Sequence, residues 1–189
     1  MKNQFSTRGW TLVELLVVLA ISAIIISVAL PGLFKVVYSA DRATSSNRIV
    51  SAFALARATA ISKNAPTTLC PIDASNRCIS RWDGAIAVFL DRDRDAEVDA
   101  GGHVIRLFAA PESGRLTVKG SSSRYFRFKP SGLADGTWGN LTLCPDDLDA
   151  HDAVHWVLSM GGRLRRARDL DGDGIVEKSG GDPVTCGST

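Results

Sequence analysis

Residues 162–168 read Gly-Arg-Leu-Arg-Arg-Ala-Arg and hold four guanidinium groups, Arg163, Arg165, Arg166 and Arg168. A guanidinium is a planar fork of N–H donors that pairs bidentately with phosphate oxygens. A few such groups on one surface bind a nucleic-acid backbone weakly, without sequence preference and with strong salt dependence. Double-stranded DNA is therefore a candidate partner for Arg163, Arg165 and Arg166. The residues that follow supply the opposite sign: Asp169, Asp171, Asp173 and Glu177. Two readings stand side by side, a phosphate-binding surface and a set of solvated or ion-paired strand residues.

The acidic stretch 169–175 runs Asp-Leu-Asp-Gly-Asp-Gly-Ile. Alternating carboxylates put hard oxygens on one turn, and glycine permits the bend; this resembles the first half of an EF-hand-type calcium loop. Asp169, Asp171 and Asp173 are thus candidate calcium ligands. Gly180 stands where the bidentate glutamate of such a loop is usual, with Glu177 or Asp182 as substitutes. Asp91, Asp93, Asp95 and Asp99 form a second alternating run without the glycine, which reads as a solvated loop. Catalytic chemistry has no comparable support. His103, His151 and His155 form no metal motif, and neither a P-loop nor a nucleophile elbow occurs. No catalytic residue and no organic cofactor is expected. Trp82, Trp138 and Trp156 read as core or sheet-face residues.

The formal charge is +2, and Lys2 and Arg8 account for it, so any basic function must be local. Residues 10–30 carry a single charge, Glu14. An apolar helix of that length spans a bilayer core of about 30 Å. The basic residues before it keep the start cytoplasmic and send the bulk across. A carboxylate inside such a span costs on the order of 3 kcal/mol unless it has a partner. An ordinary secretory signal has no use for one. The chain has four cysteines, Cys70, Cys78, Cys144 and Cys186. In an exported domain an even number favours disulfides over free thiols. Of the three pairings, Cys70 with Cys78 and Cys144 with Cys186 is preferred.

The stretch 8–31, RGWTLVELLVVLAISAIIISVALP, resembles the class III signal of type IV pilins and type II secretion pseudopilins. The resemblance implies cleavage by prepilin peptidase between Gly9 and Trp10 and N-methylation of the new amine on Trp10. It makes Glu14 the assembly glutamate at the fifth mature position. Trp10 departs from the usual phenylalanine. Residues 126–144 and 155–168 resemble the GspH/FimT group of minor pilins through Phe126, Phe128, Pro130, Gly132, Gly139 and Gly162-Arg163. Gly162, Arg163 and Arg165 match a Gly-Arg-x-Arg motif of DNA-uptake members. Implied are an inner-membrane subunit with a periplasmic head, extracellular once in a filament, and other pilins as partners through the N-terminal helix. Its role would be to prime or cap a type IV pilus-like filament and to contact DNA. The alternative is pseudopilin H of a type II secretion system.

The elements that must position these residues follow from periodicity. After a leader at 1–9 and the span at 10–30, Pro31-Gly32 should kink or locally melt the helix. Residues 31–63 continue it as an amphipathic segment, with Ile49, Phe53, Ala56 and Ala60 on one face. Asn64-Ala65-Pro66 ends it. Residues 64–189 form a β-rich head with strands expected at 67–70, 85–90, 104–109, 116–119, 125–129, 141–144, 154–159 and 162–166. Tyr125-Phe-Arg-Phe-Lys alternates as a half-buried strand should. The class is α+β: a long helix against an antiparallel, sandwich-like sheet structure, the pilin fold.

Overall fold

Thr11 and Glu14 open the first helix together. The Thr11 hydroxyl accepts the Glu14 backbone N–H at 3.2 Å, as a threonine does when it caps a helix whose third residue is glutamate. Helix α1 then runs Leu12–Ser62, with Glu14 where the helix dipole favours a carboxylate. The computed structural model describes residues 11–99 and 101–187, the side chains of 28–36 excepted. Gly9 and Trp10, where cleavage and methylation are expected, lie outside these residues, as does the leader. The backbone of α1 continues through Pro31-Gly32 without a break, so the expected local melting is not found. A proline removes one helix hydrogen bond, and the flanking turns maintain the helix.

The chain divides into two units, Met1–Ala40 and Asp41–Thr189. In the first, the large aliphatics Leu12, Leu15, Leu16, Val17, Leu19, Ile21, Ile24, Ile25 and Ile26 are all exposed. Among the described residues no helix is long and apolar enough to cross a membrane. The expected span begins at Trp10, outside the described residues, and ends at 28–30, of which only the backbone is described.

In the second unit α1 buries one face through Ile49, Ala52, Phe53, Ala56 and Ala60. Asn64 ends the helix at φ 47°, and Ala65 donates its N–H back to the Ala60 carbonyl, a left-handed cap of the kind asparagine tolerates. Among the described residues eight strands follow: β1 (Thr67–Pro71), β2 (Ile86–Leu90), β3 (Arg106–Phe108), β4 (Arg115–Gly120), β5 (Phe126–Phe128), β6 (Gly139–Cys144), β7 (Val154–Leu158) and β8 (Leu164–Arg166). They form two four-stranded antiparallel sheets, ordered β3-β2-β1-β5 and β4-β6-β7-β8. Helix and sheets share one core, in which Phe53 packs on Phe126 with ring centroids 5.1 Å apart and Trp82 on Phe126 at 5.7 Å. Trp156 is buried in the same core, whereas Trp138 is exposed. Cys70 is bonded to Cys78, and Cys144 to Cys186.

The first sheet is covered on both faces. Its second face carries Cys70, Ala87 and Phe89, roofed by Cys78, Ala96, Val98 and Val104. Arg127 lies on that face, because Thr68 faces both Phe89 and Arg127 in the register. The alternation in β5 therefore does not place its basic residue in solvent: Arg127 is buried with Phe126 and Phe128. Its Nε and Nη2 donate to Asp91 Oδ2 at 2.9 and 2.7 Å, and the Thr68 hydroxyl donates to the same oxygen. The guanidinium also stacks over Tyr125, 4.7 Å from the ring centroid. A buried pair of this kind is destabilising when only one partner is removed.

Two glycine turns bring the sheets together. Gly132, at φ +78°, sits so close to α1 that a Cβ would lie 2.8 Å from the Ile61 side chain and 3.2 Å from Arg57 Nε. Gly162, at φ +71° in the β7–β8 hairpin, is closer still: a Cβ would lie 2.1 Å from the Gly132 carbonyl oxygen. The Ala134 N–H donates to the Met160 carbonyl at 3.1 Å and fixes the contact.

Two stability changes follow from this packing. Gly162→Ala should cost about 2–3 kcal/mol, since both the left-handed backbone and the carbonyl oppose a methyl group. Arg127→Met should cost about 3–5 kcal/mol by leaving Asp91 buried and unpaired, and adding Asp91→Leu should recover much of that loss. Urea unfolding followed by tryptophan fluorescence measures both.

Candidate phosphate-binding site

Arg163 and Arg165 flank Leu164, which points into the core and is partly buried there. The period of a strand sends Arg163 and Arg165 to one side and Leu164 and Arg166 to the other. The hairpin is closed by the Ser159 N–H donating to the Arg163 carbonyl at 3.1 Å and the Gly162 N–H donating to the Ser159 carbonyl at 2.9 Å. All four arginines of 162–168 are exposed. None of them has a carboxylate partner among the described residues, so the ion-paired reading of the cluster is not what the fold adopts.

An open pocket of about 540 Å³ is lined by Arg163 and Arg165, Ser159 and Gly161 from the hairpin, and Arg57 from α1. Arg57 is half-buried, has no acidic partner among the described residues, and its Nε is buried without a hydrogen-bond acceptor. A guanidinium that lines a pocket without an acidic partner favours an anion there. Arg57 was not among the sequence candidates, but a signal was available. No aspartate or glutamate occurs between Asp41 and Asp73, so a cation on that stretch of helix has no acid at helical spacing to pair with. The glycine contacts place it: Gly132 presses on Arg57, Gly162 presses on Gly132, and Arg163 follows Gly162. Arg166 does not line the pocket.

The acidic loop after β8 is held by its own backbone. Asp169 accepts the N–H groups of Gly172 and Gly174 at 2.7 and 2.9 Å, Asp171 that of Asp173, and Asp173 that of Ile175. Both oxygens of the buried Glu177 accept the Leu170 N–H, at 3.1 and 2.9 Å. Carboxylate oxygens of Asp169, Asp171, Asp173 and Glu177 lie within 4.8 Å of one another. Glu177, and not Asp182, thus closes this group. A second group joins Asp91, Asp93 and Asp99 at the same separation.

The histidines do not converge. His155 is buried in β7, with Nδ1 2.8 Å from the Thr142 hydroxyl. Burial holds its pKa below the ordinary value, and Lys178 adds to the effect. His151 is exposed and bonded to Asp149 at 2.9 Å, which raises its pKa and lowers that of Asp149.

Three comparisons bear on kinship. Residues 45–162 match the profile described as type II transport protein GspH, and residues 5–30 match the prokaryotic N-terminal methylation motif. A comparison with curated proteins finds no match. Among solved structures, the type IV minor pilin FimU of Pseudomonas aeruginosa superposes in one crystal form with a TM-score of 0.50 at 16% identity, covering 76% of this chain and 98% of that one. A second FimU crystal form gives 0.48 at 17% identity, covering 77% and 96%. The minor pseudopilin EpsH of the Vibrio cholerae type 2 secretion system gives 0.46 at 14%, covering 67% and 95%. At such identity the FimU likeness speaks to the fold alone. The GspH profile covers more than half of the chain, and the methylation motif spans the start of α1: the protein belongs to the GspH family of minor pilins and pseudopilins, structural subunits with a prepilin-type N-terminus.

Proposed function

We propose that the protein is a minor subunit of a type IV pilus-like filament whose head contacts the phosphates of double-stranded DNA. The observation that carries the DNA contact is the meeting of Arg57, Arg163 and Arg165 at one open pocket with no carboxylate partner. Three guanidiniums at one open pocket suit weak, sequence-independent capture of a strand that passes along a filament. Anchoring is proposed to use residues 10–30 in the bacterial inner membrane, with the head in the periplasm. The exposed aliphatics Leu12 to Ile26 support it, since water is a poor solvent for such a face. In a packed bundle of sister helices, the Glu14 carboxylate would pair with the amine that prepilin peptidase exposes on Trp10 of the next subunit, giving both charges a partner.

Charge-removing variants test the head. Arg57→Gln, Arg163→Gln and Arg165→Gln should each weaken DNA binding, and each should lower the slope of log K against log salt by about 0.9. Arg166→Gln should change it least. Titration of labelled duplex DNA at several salt concentrations reads both quantities; unchanged affinity in the triple variant would remove the DNA reading. If the variants still form filaments but take up less DNA, the role is binding. If filaments disappear, the role is assembly.

Glu14→Ala tests the anchor. The variant should still fractionate with membranes, but its share in sheared filaments should fall at least tenfold, since an unpaired buried charge is disfavoured by about 3–5 kcal/mol. Quantitative immunoblotting of the two fractions measures this.

A further inference from the structure

We propose that the loop between β2 and β3 holds a calcium ion through Asp91, Asp93 and Asp99. Asp91 is completely buried. Its Oδ2 takes every polar contact the carboxylate makes, from Arg127 and from Thr68. Its Oδ1 is buried and has no partner, and Asp99 Oδ1 is in the same condition. A buried carboxylate oxygen without a donor is disfavoured in a finished fold. Carboxylate oxygens of Asp91, Asp93 and Asp99 also approach within 4.8 Å of one another. Arg127 bonds to Asp91, while Asp93 and Asp99 have no cationic partner among the described residues. One hard divalent cation removes both problems: it coordinates the unmet oxygens and offsets the excess negative charge.

Calcium fits better than the alternatives. The ligand atoms are all oxygens, with no histidine or thiol in the group, which disfavours zinc and copper. Calcium accepts irregular sets of six to eight oxygens, so water and main-chain carbonyls complete its shell, whereas magnesium demands near-octahedral geometry and gives up its water reluctantly. The loop is also braced to receive it. The Cys78 N–H donates to the Ala96 carbonyl and the Val98 N–H to the Asn76 carbonyl, each near 3.0 Å, so the Cys70–Cys78 disulfide loop holds one side. Arg127 holds the other side from β5.

The acidic loop at 169–177 differs in the property that matters. Both oxygens of its one buried carboxylate, Glu177, already accept an N–H, and its three aspartates are exposed. Of the two acidic loops, the one that lacks the glycine in sequence is the one with unmet buried oxygens.

The full chain in detergent, stripped with EDTA, provides the test. Calcium chloride should raise its melting temperature by about 5 °C or more at concentrations well above Kd, and magnesium chloride much less. Isothermal titration with calcium should give one site. Asp93→Asn and Asp99→Asn should lose the calcium response yet melt no lower than the parent in EDTA, because each removes a like charge from the group. That second readout separates lost binding from a failed fold. Asp171→Asn should retain the full response. No calcium-dependent shift in the parent, or a shift lost in Asp171→Asn and kept in Asp99→Asn, would overturn the proposal.

Discussion

Between Gly162 and the carbonyl oxygen of Gly132 there is room for a hydrogen atom and nothing larger. The pocket depends on that contact. Gly132 belongs to the turn after β5 in one sheet, and Gly162 to the hairpin between β7 and β8 in the other. Their close approach, backed by Ile61 and Arg57 on α1, locks three separate pieces of chain at one corner of the head. Arginine side chains are long and mobile, and a set of them becomes a site only when their backbones are held. Here two glycines do so: Gly162 lets backbone pack on the backbone of Gly132, and Gly132 leaves room for the Ile61 and Arg57 side chains of α1.

The other structural commitment is the double cover on the first sheet. A sheet with one wet face would let Arg127 reach solvent. The Cys70–Cys78 loop together with Ala96, Val98 and Val104 closes that face instead, and the guanidinium must find its counter-charge inside. Asp91 supplies it with one oxygen and holds the other in reserve. The pair links β5 to the loop leaving β2, so the acidic loop is set by the same interaction that neutralises the strand's buried cation. Such pairs specify arrangement more than they add stability.

The two units carry different surfaces. The first unit shows aliphatic side chains on every side of its helix, with Glu14 at the capped start. The second unit folds a helix and two sheets around an aromatic-rich core, with a further buried cluster over the other face of the first sheet. An all-round apolar helix surface is unfavourable in water, whereas the second unit buries large apolar side chains internally.

Much of this was legible in residue order alone. The prepilin-type start, the long helix, its buried stripe at Ile49, Phe53, Ala56 and Ala60, its end at Asn64, and the positions of all eight strands follow from local rules: hydrophobic period, caps and turn residues act over a few positions. The arginine cluster of 162–168 was visible as a run of charges, and the fold leaves it exposed. Three things were decided only by tertiary structure. Arg57 joins Arg163 and Arg165 although more than a hundred positions separate them. Arg127 is buried, because the second cover on its sheet comes from a distant loop. The unmet oxygens fall at Asp91 and Asp99 and not at Glu177, because only folding determines which backbone N–H groups reach which carboxylate. Sequence displays the charges a chain carries; their partners depend on contacts made across the fold, which no local pattern encodes.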